Sequence, residues 1–222
     1  MMIRCPFCDP VSMGIELAFS VIVIALCLLI FVRTKEMYAI TKHKGISYFR
    51  STFLFFALAF AFRFFFHLFA ISGMVFDFRV PRELFGPIPL LITTYFSTLA
   101  ILYLLMSLVW KRVNSEHFIV FSHVVAILLA VMVFAFHSAQ FLAGIQLVLI
   151  LVTLVLAFLR SRHSKGFSKL FIIYLLLFIG WLANIIILVP RFHIPFELKI
   201  ASYAVSAVVF GIIFYKVFRW TK

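Results

Sequence analysis

Arg63 stands near the middle of an otherwise apolar run, about Ser51–Gly73, with His67 one helical turn further on. A guanidinium inside hydrocarbon costs on the order of 3 kcal/mol even on insertion scales, so it requires a partner or a task. Three other apolar runs bring polar groups to a comparable depth. One carries Thr94, Tyr95 and Thr98, another carries Asn184, and a third carries Ser202, Tyr203 and Ser206. Arginine's fixed charge and planar fork of donors suit a carboxylate or phosphate. Together, Arg63, His67, Thr94, Tyr95, Thr98, Asn184, Ser202, Tyr203 and Ser206 predict a midplane polar pocket for a small or lipidic, anionic ligand. A structural alternative stands beside that reading. Glu16 is the one carboxylate within an apolar run near that depth, which makes a Glu16–Arg63 ion pair the competing expectation. Serine, threonine and asparagine in membrane helices also bond their own backbone or hold helices together.

Other chemistries find less support. His67 and His137 fall in one half of the chain's depth and His123 in the other, but no spacing motif marks a metal or haem site. Cys5-Pro6-Phe7-Cys8 has redox-motif spacing on a short polar lead, and two cysteines fall short of a four-ligand zinc site. Cys27 reads as a buried helix residue, and three cysteines make no disulfide framework. There is no nucleophile–base pair, phosphate loop or pair of carboxylates. The expectation is a protein that is not an enzyme and that carries no cofactor and no metal.

The elements that must position these residues follow from composition. Of the 222 residues, 66% are hydrophobic and 12% charged, with a mean hydropathy of +1.21. A soluble domain carries about a quarter of its residues charged, so the chain reads as an all-α integral membrane protein. Apolar segments run about Met13–Val32, Ser51–Gly73, Pro87–Trp110, Phe118–His137, Ala139–Leu159, Leu170–Val189 and Leu198–Phe218. Each is near the ~20 residues a spanning helix needs, and lipid leaves the backbone no alternative to helix. All seven prolines lie outside the helix interiors.

Seven spans place fourteen Lys/Arg on one side, among them Arg33, Lys44, Arg50, Arg160 and Arg219, against five on the other, with Arg63 between. The positive-inside rule then sets the N-terminus outside and the C-terminus in the cytoplasm. The net charge of +13 is accordingly a collar facing anionic lipid headgroups, not a nucleic-acid patch. The expected partners are the bilayer, those headgroups, a small-molecule ligand, and a second copy or a signalling protein. The location is the cell membrane, as a multi-pass protein.

The chain also looks internally repeated. Lys44-Gly45-Ile46-Ser47 is answered by Lys165-Gly166-Phe167-Ser168 at an offset of 121, which lays Asn184 on Arg63 and Gly180 on Ala59. Gly14-Ile15-Glu16-Leu17 is answered by Gly144-Ile145-Gln146-Leu147 at 130, and Thr94-Tyr95 with Thr98 by Ser202-Tyr203 with Ser206 at 108. The shrinking offsets fall in loops, where length changes cost little. Residues 1–12 then form a short outer segment, 13–112 a first three-helix repeat, 113–138 a linker helix, and 139–222 a second repeat in the same orientation. Because the first segment belongs to the repeat, it reads as a span and not as a cleaved signal peptide.

This three-plus-one-plus-three plan resembles the SWEET and PQ-loop carriers, though their helix prolines and Pro-Asn or Pro-Gln pairs are missing, since Asn184 follows Ala183. The basic loop and aromatic helix start His43-Lys44-Gly45-Ile46-Ser47-Tyr48-Phe49-Arg50 more loosely resembles the seven-helix sensor regions of microbial signalling kinases. A retinal protein is disfavoured, because Lys199 and Lys216 flank the last segment and none lies in its middle. Unbroken helices favour a receptor-like or sensor module binding a ligand around Arg63. The duplication favours a SWEET-like facilitative transporter or channel for small solutes.

Overall fold

A computed structural model describes residues 10–76, 87–111, 115–136, 139–162, 169–188 and 195–220. The Cys5/Cys8 pair, the loop from Asp77 to Glu83, His137, the Lys165–Ser168 arm of the repeat and the segment Pro190–Ile194 lie outside the described residues. Within them the chain is all helix: α1 Pro10–Thr41, α2 Lys44–Val75, α3 Pro87–Val109, α4 Ser115–Phe136, α5 Ala139–Arg162, α6 Lys169–Leu188 and α7 Phe196–Trp220. Six of these are long and apolar enough to cross a membrane. The apolar part of α6, Phe171–Asn184, is shorter. Six to seven apolar helices therefore mark a membrane protein.

α1 and α2 differ from expectation at their junction. The basic loop predicted up to Arg50 is only a two-residue turn, because α1 continues to Thr41 and α2 starts at Lys44. At the turn Lys42 adopts a left-handed φ of 47°, and its amide donates to the Tyr38 carbonyl at 2.8 Å. The cations stay on the helices by lying along aromatic rings and neighbours. The Arg50 guanidinium sits 4.0 Å from the centre of Phe31, Arg33 sits 4.9 Å from that of Phe218, and Arg33 also meets Glu36 at 3.7 Å. At 32 residues each, the two helices reach about 48 Å, so their ends extend past a hydrocarbon core of about 30 Å.

The helices close into a ring. α1 packs on α2, α2 on α3, α3 on α5, α5 on α6, α6 on α7, and α7 returns to α1. α4 stays outside, leaning mainly on α3. Thus α1–α3 and α5–α7 share one internal packing order. The core takes one stripe from each ring helix: Phe19, Val23, Cys27 and Ile30 from α1, Phe49, Phe53 and Phe56 from α2, and Val209, Phe210, Ile213 and Val217 from α7 are examples. These intervals of three and four keep a single face inward. Among its described residues α4 buries Ser122, Ala126, Ala130 and Val133, mostly small side chains that let it approach α3, while Val120, Ile127, Leu128 and Val131 face outward. In a bilayer that outward surface meets lipid.

Candidate functional site

Glu16 lies two turns into α1, and Arg63 and His67 lie one turn apart on α2, so the packing of these neighbours brings all three together. One carboxylate oxygen, Oε1 of Glu16, accepts from the Arg63 Nε at 2.8 Å and from its Nη2, and meets the His67 Nε2 at 3.1 Å. Tyr203 of α7 stands beside the pair and interacts with both members. The Arg63 and Glu16 side chains remain 24% and 14% exposed, so the pair borders open space and is not sealed in packing. Arg63 therefore has the partner that burial in an apolar bundle demands.

α5 and α6 each carry a buried or half-buried amide. The Gln146 amide on α5 donates to Ser97 Oγ at 2.6 Å and to Thr98 Oγ1 at 3.3 Å, both on α3. Asn184 on α6 donates to the Gly180 carbonyl at 2.8 Å and to Ser206 Oγ of α7 at 3.0 Å. Its Oδ1 is buried and meets no donor among the described residues. Gly180 lets α7 come close, for a Cβ there would meet Val209 Cγ1 at 3.1 Å. Under the offsets above, Gln146 stands where Glu16 stands and Asn184 where Arg63 stands. α1 and α2 hold a charged pair, and α5 and α6 hold two neutral amides.

Between these groups lies a cavity of about 100 Å³. Its polar lining is Arg63, Thr93, Ser97, Gln146 and Asn184, and its apolar walls include Phe60 and Trp181. Both triplets contribute. The volume accommodates a few waters or a small solute and falls well below the 300 Å³ or more typical of drug-sized sites.

The structure distributes the residues singled out from sequence in three ways. Arg63 and Asn184 line the cavity. Thr98 and Ser206 are buried and hold the lining amides, Thr98 by accepting from Gln146 and Ser206 by accepting from Asn184 while donating to the Gly180 carbonyl at 3.3 Å. Thr94 donates to the Leu90 carbonyl of its own helix, Ser202 is buried, and Tyr95 turns away to meet Nδ1 of His123 on α4 at 2.8 Å. His67 and Tyr203 attend Glu16. Gln146, Ser97 and Thr93 were missed as lining residues, although the Gly14–Leu17 repeat already marks position 146 as the counterpart of Glu16. Among the described residues no three His, Cys, Asp or Glu side chains gather as a metal site.

A second cavity, of about 880 Å³, opens at the end of the ring that holds the α1–α2 turn and the C-terminus of α7. The two cavities share no lining residue among the described residues. On α2 the larger reaches Phe49 and the smaller begins at Phe56, with the fully buried Phe53 between them.

Fold and lining together define a multi-pass helical membrane protein with a small polar cavity inside a ring of helices. The chain is 31% identical over 216 residues to an uncharacterised protein of Archaeoglobus fulgidus, covering 92% of this chain and 91% of that one. It belongs to the same family as that protein. No family model matches the chain, and no solved structure matches it.

Proposed function

We propose that this protein is a receptor-like or sensor module of the cell membrane, binding a small polar solute in the cavity beside Arg63. The observation that carries the reading is the convergence of Arg63, Gln146 and Asn184 on one cavity between the two triplets. The buried Asn184 Oδ1 adds an unmatched acceptor on its wall. Glu16 already balances the charge of Arg63, so a ligand offering neutral acceptor oxygens gains more than a full anion. The small volume disfavours a lipid chain. Occupancy bridges helices of both triplets, and a change in their tilt reaches the basic end through unbroken helices. Helices without internal prolines transmit such a tilt as rods.

A facilitative carrier or channel is the second reading, and one specific observation favours it. The cavity lies where two similarly ordered triplets meet, and a wide vestibule opens beyond it at the basic end. Binding at a repeat interface near mid-membrane is how many carriers are built.

One experiment separates the two. Purified protein is screened by thermal shift against small amides, polyols and carboxylates, and each stabilising compound is then tested for flux into proteoliposomes. The sensor reading expects stabilisation that Gln146→Leu removes, without flux above protein-free vesicles. Flux abolished by the same substitution establishes the carrier. A stabilisation indifferent to Gln146→Leu and Asn184→Leu rejects this cavity as the binding site.

A further inference from the structure

We propose that the 880 Å³ vestibule at the basic end of the ring is a binding site for a phosphate group, presented either by a lipid headgroup or by a soluble phosphate compound. It is distinct from the cavity beside Arg63 and does not depend on what that cavity binds. All six ring helices contribute to its wall, so it is an interior opening and not a surface groove.

Its charge is one-sided. His43 from the α1–α2 turn, Arg160 from α5 and Arg219 from α7 all line it, and among the described residues none of its lining is an aspartate or glutamate. The two guanidinium groups and the imidazole come from separate elements, and all three residues are exposed. Glu36, at the same end, is on the rim of α1 with Arg33 and does not line the vestibule. Cations gathered around a concave wall without an acid create a positive potential that an anion relieves. The size suits a phosphorylated molecule and exceeds what inorganic phosphate alone would fill.

The basic side chains are held in place. Arg160 donates from Nη1 to the Leu108 carbonyl, one of the carbonyls left without an intrahelical partner at the end of α3. That anchors one edge of the fork and leaves a guanidinium with further donors at the vestibule wall. His43 packs edge-on against Trp110, with ring centres 4.6 Å apart. Gly45 makes room for both rings, since a Cβ there would meet His43 Cε1 at 2.9 Å and Trp110 Cδ1 at 3.0 Å. His43 is also the residue before the first turn of α2 and gives that turn no side-chain cap. Gly45 and Ile46 of this uncapped turn line the vestibule, so the positive end of the α2 dipole points the same way as the cations. Deeper in, Tyr174 and Ser107 share a hydroxyl hydrogen bond, with Ser107 donating to the Leu104 carbonyl at 2.7 Å. The Trp110 Nε1 donor, beside Gly45, is buried without a partner among the described residues.

The test uses the full chain in nanodiscs of neutral phosphatidylcholine, followed by thermal unfolding. In one arm pyrophosphate is titrated at constant ionic strength against chloride. In the other the discs contain phosphatidylglycerol and no phosphate is added. Stabilisation in either arm supports the site, and the arm that responds identifies the source. Arg219→Gln, which leaves the Arg160–Leu108 bond intact, weakens half-saturation about tenfold, the equivalent of one charge-assisted hydrogen bond. Lys35→Gln, an equal charge change on an exposed residue outside the vestibule, leaves it unchanged. The proposal is overturned if neither arm stabilises beyond the chloride control, or if Lys35→Gln weakens binding as much as Arg219→Gln does. Failure here leaves the Arg63 cavity untouched, because no substituted residue lies near it.

Discussion

Arg63 and Glu16 show how one arginine is tolerated inside an apolar bundle, by an ion pair between neighbouring helices. Sequence exposed both residues and offered two outcomes, an ion pair or a ligand pocket. The structure forms the pair and also leaves a cavity at its side. That combination was not legible, because whether a paired side chain borders open space depends on how far neighbouring helices stand apart. Removing one partner of such a pair strands a charge at a cost of about 3–5 kcal/mol when fully buried. The partial exposure here lowers the expected loss toward the bottom of that range. Arg63→Asn should therefore lower the melting temperature sharply in detergent. Adding Glu16→Gln gives the first triplet the two amides that the second already has and should restore most of it. A double variant as unstable as Arg63→Asn alone would show that the arginine holds more than its charge partner.

Among the elements, apolar runs predicted all seven helices, but not their ends. Hydropathy marks what hydrocarbon demands, whereas α1 beyond Val32 is held by Arg33 and Arg50 laid on Phe218 and Phe31, a matter of helix packing. The rotation of α3 was equally hidden. Thr94 and Tyr95 are adjacent in sequence, yet Tyr95 faces His123 on α4. The vestibule is assembled from the ends of six helices and has no local signature at all. Helix approach, in contrast, can be tested glycine by glycine. Gly180→Val would drive its side chain into Val209, and overpacking of this kind costs about 1–3 kcal/mol. It should also disturb the Asn184–Ser206 bond across the same contact. Gly144→Ala, where an added Cβ meets nothing within 4 Å, should melt with the wild type. Equal melting temperatures for the two variants would mean that α6 and α7 do not approach as described.

For the whole molecule the decisive question is whether α6 spans, since its apolar part covers only Phe171–Asn184 among the described residues. Two arguments say that it does. α6 sits between α5 and α7 in the ring, so leaving the membrane would open the bundle and expose Asn184 and Gln146 to lipid. Charge gives the second argument. With seven spans Lys216 and Arg219 share a side with Arg33, Lys44 and Arg160, whereas six spans would send them across, against the positive-inside rule. Single cysteines decide the matter in a background carrying Cys5→Ser and Cys8→Ser, where the fully buried Cys27 stays silent. Lys35→Cys and Glu197→Cys are both at exposed positions. A membrane-impermeant maleimide applied to intact cells should label Glu197→Cys and spare Lys35→Cys until the cells are opened. The opposite pattern reverses the orientation. Protection of both would place the start of α7 inside, reducing the protein to six spans and ruling out the parallel repeat that the sequence suggests.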